Sequence, residues 1–201
     1  PAPKGTRSRR FRVVIPAHNE EAVIGTLLGD LEAQSYEHSS VWVLADRCTD
    51  RTVEIAENAG VSIASRTGGL DGKGAALGWY LAEYPLQPDE ALVVLDADNR
   101  VPTHLLSRFA DELDAGHLAL QAYLDVSNPD ASAIASAAAI SHWASNRMVQ
   151  LARANLGWAV DLGGTGMCLT AGALETAGGF GETLTEDQEI TVRLFPAGVP
   201  I

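Results

Sequence analysis

The sequence predicts an α/β protein: a doubly wound sheet with flanking helices. Three observations lead there. Apolar runs at residues 11–15, 41–45, 61–65 and 91–95 have the length and composition of strands. Each is followed by a segment with helical spacing, the βαβα alternation that parallel strands require for their crossovers. Those crossovers are right-handed, so successive helices cover both faces of one sheet. Ligands of such sheets bind in the crevice beyond the carboxyl ends of the strands.

Taken in order, the strand at 11–15 leads into a helix carrying Val23, Ile24, Leu27, Leu28 and Leu31 at intervals that share one face. The strand at 41–45 leads into a helix with Val53 and Ile55, stopped by Gly60. The strand at 61–65 precedes a glycine-rich approach to a helix that starts near Lys73. The run "ALVVL" at 91–95 is apolar without alternation, as expected of a strand buried on both faces. In the second half, residues 118–124 read as a strand and 130–154 as a long alanine-rich helix. "DLGGTGMCLT" reads as a glycine-rich loop entering a short strand. Residues 171–177, the turn "GGFGE" and a final helix at 186–195 complete the chain.

Composition bounds the function. The 201 residues are 46% hydrophobic and 20% charged, enough for one well-cored unit. No run approaches the ~20 apolar residues of a membrane span, and no signal peptide opens the sequence. A net charge of −12 excludes a nucleic-acid groove, which needs a basic stripe. The charge is uneven. Of 14 basic residues, Lys4, Arg7, Arg9, Arg10 and Arg12 fall in the first twelve positions, so nine face 26 acids in the remainder, a balance of −17. Residues 1–10 therefore read as a basic leader: a solvated tail, or a juxtamembrane linker on the cytoplasmic side of a membrane helix lying outside this chain. Cys48 and Cys168 form no metal or disulfide pattern and read as packing residues in a reducing compartment.

The strand ends collect polar residues at one edge: "PAHNEE", "DRCTD", "RTGGLDGKGAAL" and "DADNR". Singly, each has a plain structural explanation. His18 or Asn19 can cap a helix with Glu20 and Glu21 in its first turn, and Asp46 and Asp50 can serve as turn and cap residues. The glycine-rich stretch is neither a P-loop, since Gly74 stands where Ser or Thr is needed, nor a dinucleotide fingerprint, since Leu77 stands at the third glycine. What remains is a helix N-terminus with Lys73, suited to a phosphate. Lys73 is one of two lysines beside twelve arginines. Asp96 and Asp98, at i and i+2 of an extended segment, point to one side and can jointly address a hard cation such as Mg²⁺ or Mn²⁺. Such a cation bridges a diphosphate and stabilises it as a leaving group. In "LTEDQEITVRL", Thr185 and Gln188 match a capping box, and Glu186 and Asp187 are either solvated first-turn acids or candidate bases. Trp143, Asn146, Arg147 and Trp158 read as packing residues of the alanine-rich segment or as acceptor contacts.

"IPAHNEE", "LADRCTDRT", "GKGAAL", "VVLDADN", "GGTGMCL" and "LTEDQEI", in this order, resemble the inverting glycosyltransferases of family 2, including the membrane-embedded synthases of the cellulose and hyaluronan type. The resemblance runs from Phe11 to about Phe195. It implies a GT-A fold, meaning a Rossmann-like mixed sheet. It also implies a nucleoside-diphosphate sugar donor (UDP preferred), Mg²⁺ or Mn²⁺, and a saccharide or lipid-linked acceptor. By the same resemblance Pro16, Ala17 and Glu20 contact the nucleoside, Asp46 the base and Lys73 the diphosphate. Asp96 faces the donor sugar or diphosphate, Asp98 holds the metal, Asp187 is the catalytic base with Glu186 as its alternative, and the 163–167 loop with Gly164 lines the donor–acceptor junction. Residues 11–201 are then a catalytic core, with a nucleotide-binding half at about 11–100 and an acceptor half at about 101–201. Synthases of this type carry a Q-x-x-R-W string downstream, which is not found here. The expectation is a core cut short, working at the cytoplasmic face of a bacterial cell membrane through segments absent from this chain, or acting only as a nucleotide-sugar-binding module. A nucleotidyltransferase lacks support in "IPAHNEE", and neither G-x-S-x-G nor H-E-x-x-H occurs.

Overall fold

A computed structural model of the protein describes residues 9–158, 160–181, 183 and 185–201. Most of the basic leader therefore lies outside the described residues. The six strands are β1 (Arg10–Ala17), β2 (Ser39–Asp46), β3 (Ser62–Arg66), β4 (Glu90–Val94), β5 (Ala119–Gln121) and β6 (Met167–Thr170). They form one sheet in the order β3-β2-β1-β4-β6-β5. β1 to β4 run parallel, and β6 is antiparallel to both β4 and β5. The strand expected over 118–124 is only three residues long, because beyond Gln121 the chain leaves the sheet edge.

The helices are α1 (Ile24–Glu32), α2 (Thr52–Asn58), α3 (Lys73–Glu83), α4 (Leu105–Asp114), α5 (Ala133–Ala144), α6 (Leu151–Asn155), α7 (Ala171–Thr176) and α8 (Glu186–Leu194). The alternation along β1 divides them between two cores. Phe11, Val13, Ile15 and Ala17 point to one face, where they meet α1 and α4 through Ile24, Leu27, Leu106 and Phe109. Val14 joins Leu92, Val94, Met167 and Leu169 on the other, covered by Leu77 and Tyr80 of α3, Leu174 of α7 and Ile190 of α8. The two faces thus realise the doubly wound arrangement, and Cys168, fully buried, is the packing residue expected of it. Arg12 occupies an inner position of β1 and is kept there by an ion pair with Glu90 and a 2.7 Å hydrogen bond to the Tyr84 carbonyl.

The alanine-rich segment departs from expectation. It is helical from Ala133 to Asn155 but widens into a π-helical turn over Ser145–Gln150 between α5 and α6. Packing explains little of it, since Trp143 is 41% and Trp158 63% exposed.

One close approach orients α8 on the sheet. A Cβ on Gly74 would fall 2.5 Å from the Gly181 carbonyl oxygen and 2.9 Å from Glu186 Cβ, so the first turn of α3 and the entry to α8 touch with no room for a side chain. Backbone cannot swing aside as a lysine tip can. Gly74→Ala is therefore expected to destabilise the protein on balance, an overpacking cost of about 1–3 kcal/mol outweighing the ~1 kcal/mol that alanine otherwise gains over glycine in a helix. Urea denaturation checks this, and a neutral or stabilising result would mean that α8 yields freely.

Candidate active site

The carboxyl ends of β1, β2 and β4 and the N-termini of α3 and α8 converge on one edge of the sheet. Its left wall is a cross-linked pair of loops. Asn19, in the left-handed region with φ 59°, does not cap α1; its Oδ1 accepts from the Thr49 and Asp50 amides at 2.7 and 3.3 Å. The Glu20 amide donates to Thr52 Oγ1 at 2.8 Å and the Glu21 amide to Asp50 Oδ2 at 3.0 Å. Asp50 also accepts from the Thr52 amide at the start of α2, the structural role its position suggested. His18 Nδ1 lies 2.7 Å from the Asp46 carbonyl, and Cys48 Sγ donates to the Ala17 carbonyl at 3.3 Å. Pro16 is half-buried and Ala17 is packed into the core, which leaves Ala17 only its backbone to offer a ligand.

Asp46 ends β2 directly opposite Arg66 of β3 in the sheet register. Arg66 Nε and Nη2 reach its two oxygens at 3.0 and 2.9 Å, and Arg47 Nε and Nη2 both reach them at 3.0 Å. Burial alone would raise the Asp46 carboxyl; the two guanidinium groups outweigh it and hold the carboxyl below the usual range. Arg47, at φ 54°, also bonds Asp71 of the glycine-rich loop, and Arg66 donates to the Leu70 carbonyl at 2.8 Å. Sequence reasoning assigned no part to Arg47 or Arg66. The signal was there in the opposite charges closing two neighbouring strands.

The right wall joins Lys73, Asp96, Gly164, Glu186 and Asp187. Lys73 Nζ donates to Asp96 Oδ1 and to the Gly164 carbonyl. The Asp96 amide donates to Thr165 Oγ1 at 2.9 Å, the Thr165 hydroxyl donates to Asn99 Oδ1, and Gln121 closes the loop by bonding the Thr165 carbonyl at 2.9 Å and the Gly163 amide at 2.8 Å. Thr165, Asn99 and Gln121 were not picked out from sequence, because neutral polar residues carry no spacing signature. Gly164 has φ 58°, and a Cβ there would stand 3.4 Å from Asp187 Oδ2, so the bare loop lies directly against that carboxylate.

Glu186 and Asp187 differ in setting. Glu186 is 6% exposed, under Gly74, and burial raises its carboxyl above the ordinary range despite the opposing pull of Lys73. Asp187 is half-buried, and its Oδ1 accepts from the Gln188 amide at 2.7 Å. The capping box anticipated from Thr185 and Gln188 does not form: Thr185 precedes α8 with φ −124° and ψ 58°, and its side chain makes no capping bond. The α8 helix is fixed instead by Thr191, whose hydroxyl accepts from the Leu162 amide at 3.0 Å.

Asp98 is exposed, and Glu20 is raised by burial and then by repulsion from Asp98, Asp50 and Asp96. Among the described residues no three His, Cys, Asp or Glu side chains converge on one point. A cation at Asp98 would therefore draw its other ligands from diphosphate oxygens and water, the habit of Mg²⁺ and Mn²⁺ in phosphate sites, and the all-oxygen donors suit it. Beyond β5, Trp143 Nε1 donates to Asp125 at 2.6 Å, and Asn146 Nδ2 donates to the Leu124 carbonyl at 2.6 Å. The Leu124 side chain in turn lies against Gly163 and Gly166, so this helix is tied to the glycine loop. Arg147 and Trp158 stay exposed.

Known proteins share this fold. A beta-monoglucosyldiacylglycerol synthase of Nostoc sp. is 28% identical over 200 residues, covering 90% of this chain and 40% of that protein; the chain thus spans less than half the length of this curated relative. The structure of S. aureus TarS 1-349 in complex with UDP-GlcNAc matches with a TM-score of 0.70 at 19% identity, over 92% of this chain and 53% of that one. The mannosyltransferase PcManGT of Pyrobaculum calidifontis, in complex with GDP-Man and Mn²⁺, matches with a TM-score of 0.68 at 20% identity, over 91% and 50%. These likenesses establish the GT-A fold expected from the motifs. The family model described as "Glycosyltransferase like family 2" matches residues 8–201, and the chain belongs to that family.

Proposed function

We propose that this domain catalyses metal-dependent, inverting transfer of a sugar from a nucleoside-diphosphate sugar, preferably a UDP-sugar, to a hydroxyl of a saccharide or lipid-linked acceptor. The observation that carries the reading is that Lys73 bonds both Asp96 and the Gly164 carbonyl, and that Gly164 faces Asp187 across a gap in which a Cβ would stand 3.4 Å from the carboxylate. It sets a diphosphate-side cation, a loop without side chains and a carboxylate along one crevice, the order a displacement needs. TarS is seen with UDP-GlcNAc, PcManGT with GDP-Man and Mn²⁺, and the Nostoc relative is named for a diacylglycerol product, which together support donor, cation and a lipid-linked acceptor.

In this reading Pro16, Ala17 and Glu20 border the nucleoside, and Asp46 reads the base once Arg47 releases it. Arg66 keeps Asp46 ionised and aimed throughout. Lys73, at the N-terminus of α3, places a charge and free amides beside the diphosphate. Asp96 faces the donor, and Asp98 holds Mg²⁺ or Mn²⁺, which when bound supplies Lewis-acid stabilisation of the departing diphosphate. Asp187 removes the acceptor proton as the acceptor oxygen attacks the anomeric carbon from the side opposite the leaving group, so one displacement inverts the centre. Glu186 is the weaker candidate for the base, being buried beneath α3 and turned from solvent. Cleared of side chains at Gly163 and Gly164, the loop admits the sugar between Lys73 and Asp187. No described helix is long and apolar enough to cross a membrane; the proposed place of action is the cytoplasmic face of the cell membrane, reached through other segments of the protein. A non-catalytic nucleotide-sugar-binding role is the second reading, separated from the first by turnover with an intact acceptor.

Asp98→Ala is expected to abolish Mn²⁺-dependent UDP binding in calorimetry while leaving the circular dichroism spectrum unchanged, because it removes a surface ligand and no core volume. Unchanged affinity would move the metal elsewhere. A thermal-shift screen of UDP-, GDP- and dTDP-sugars with Mn²⁺ identifies the donor for the next test. Asp187→Asn is expected to bind that donor normally and to lose transfer by roughly 10²–10⁴-fold, since the amide keeps the shape and loses the base. Product mass reads the outcome, and near-normal turnover would reassign the base to Glu186.

A further inference from the structure

Asp98 stands exposed beyond the end of β4, where packing does little to restrain its side chain. A hydrogen bond does restrain it: Asn99 Nδ2 donates to Asp98 Oδ1 at 3.3 Å. Asn99 is half-buried, and its own amide has one workable orientation. Oδ1 accepts from the Asp96 amide at 3.2 Å, a group that only donates, while Nδ2 faces a carboxylate, which only accepts. A flipped amide would set donor against donor at one end and acceptor against acceptor at the other. The backbone turn does not need this side chain. It is closed by the Asn99 amide on the Asp96 carbonyl at 3.0 Å, a bond that most residue types can make.

The glycine loop supplies the second support. Thr165 Oγ1 accepts from the Asp96 amide at 2.9 Å and spends its own proton on Asn99 Oδ1. The bonds run head to tail, from the Asp96 amide to Thr165, from Thr165 to Asn99, and from Asn99 to Asp98. Each polarises the next toward the carboxylate on which the chain ends. Thr165 is itself fixed, because Gln121 Nε2 donates to its carbonyl at 2.9 Å. Its neighbours are fixed as well: the Gly164 carbonyl accepts from Lys73, and the Gly166 amide donates to the Val94 carbonyl at 2.8 Å. An exposed carboxylate is thus steadied by the loop that faces Asp187.

We propose that Asn99 is a positioning residue for the cation, holding Asp98 ready as its ligand, and that Thr165 makes this hold depend on a seated 163–166 loop. The inference rests on the reading of Asp98 as the metal ligand. A carboxylate already held by a hydrogen bond loses less rotational freedom when it takes Mg²⁺ or Mn²⁺, and supports of this kind set the affinity of the ligands they orient. The coupling is reciprocal. If a seated loop favours the cation, the cation favours a seated loop by the same factor, which ties metal entry to the ordering of the donor–acceptor junction.

Calorimetry of UDP binding across a series of Mn²⁺ concentrations tests this on the 201-residue chain. Asn99→Ala is expected to raise the Mn²⁺ concentration for half-maximal UDP binding by about 10–100-fold, the usual cost of freeing a metal ligand from its support, and excess Mn²⁺ is expected to restore binding. Thr165→Val, which keeps the shape and loses the hydroxyl, is expected to shift the midpoint the same way, and Thr165→Ser to return it to the wild-type value. Because Thr165 acts through Asn99, adding Thr165→Val to Asn99→Ala is expected to cost nothing further, whereas independent lesions would add. An unchanged midpoint in Asn99→Ala, a Thr165→Ser variant as impaired as Thr165→Val, or additive losses in the double variant would overturn the proposal. So would a loss that excess Mn²⁺ fails to restore, since that marks a role in shape alone. If Asp98→Ala leaves the Mn²⁺ dependence intact, the metal assignment falls and this inference with it. If Asp98→Ala abolishes the dependence and Asn99→Ala does not alter it, the positioning role alone is lost.

Discussion

The close approach of Gly74 to Gly181 and Glu186 is the constraint on which the crevice depends. α3 and α8 come from segments over a hundred residues apart, and they meet where neither backbone leaves room for a methyl group. That contact fixes the entry of α8, and with it Asp187, relative to the first turn of α3 and Lys73. Lys73 then carries the alignment to β4 through Asp96 and to the glycine loop through the Gly164 carbonyl. Positions are transmitted through backbone and a single ammonium. A longer, softer set of side-chain contacts would let the carboxylate and the phosphate side drift, and a misplacement of about 1 Å at reacting groups can cost a hundredfold in rate.

The two halves of the crevice are held with different stiffness. On the nucleotide side Asn19, Asp50 and Thr52 knit the β1 and β2 loops with bonds of 2.7 to 3.0 Å, and Arg66 grips Asp46 from the neighbouring strand. A carboxylate placed between two guanidinium groups is kept ionised, yet Arg47 is the more exposed of the two, so only one partner need move to free an oxygen of Asp46. On the acceptor side the α5–α6 run hangs on a few polar bonds and sinks no large apolar side chain into the core.

Much of this was legible in the sequence because it repeats or alternates. The apolar runs and helical intervals located β1 to β4 within two residues of their bounds, and the strand-end motifs all came to one edge as parallel topology requires. Asp96, Lys73 and Gly164, far apart in the chain, are joined by the two bonds of the Lys73 ammonium, with Asp187 facing Gly164. What stayed hidden has physical reasons. β5 is short because no partner lies beyond it at the sheet edge, and length at an edge is set by tertiary neighbours. Thr185 fits a capping pattern, but with φ −124° and ψ 58° it enters α8 without a side-chain capping bond. The clamp on Asp46 and the Thr165–Asn99–Gln121 latch are products of register and loop closure, which composition does not record. The alanine-rich segment was read as packing because apolar residues usually are; the structure leaves most of it exposed, with Ala139 its one buried residue.

Electrostatics connects these parts. The crevice gathers Glu20, Asp96, Asp98, Glu186 and Asp187 within a chain already at −12, and repulsion and burial raise Glu20 and Glu186 above the ordinary carboxylate range. A nucleoside diphosphate entering alone would meet Lys73 as its nearby cation, itself bonded to Asp96. The local balance would oppose it. A divalent cation on Asp98 changes that balance by two charges at the point where the phosphates must sit, and cation and donor would then enter as mutually dependent ligands.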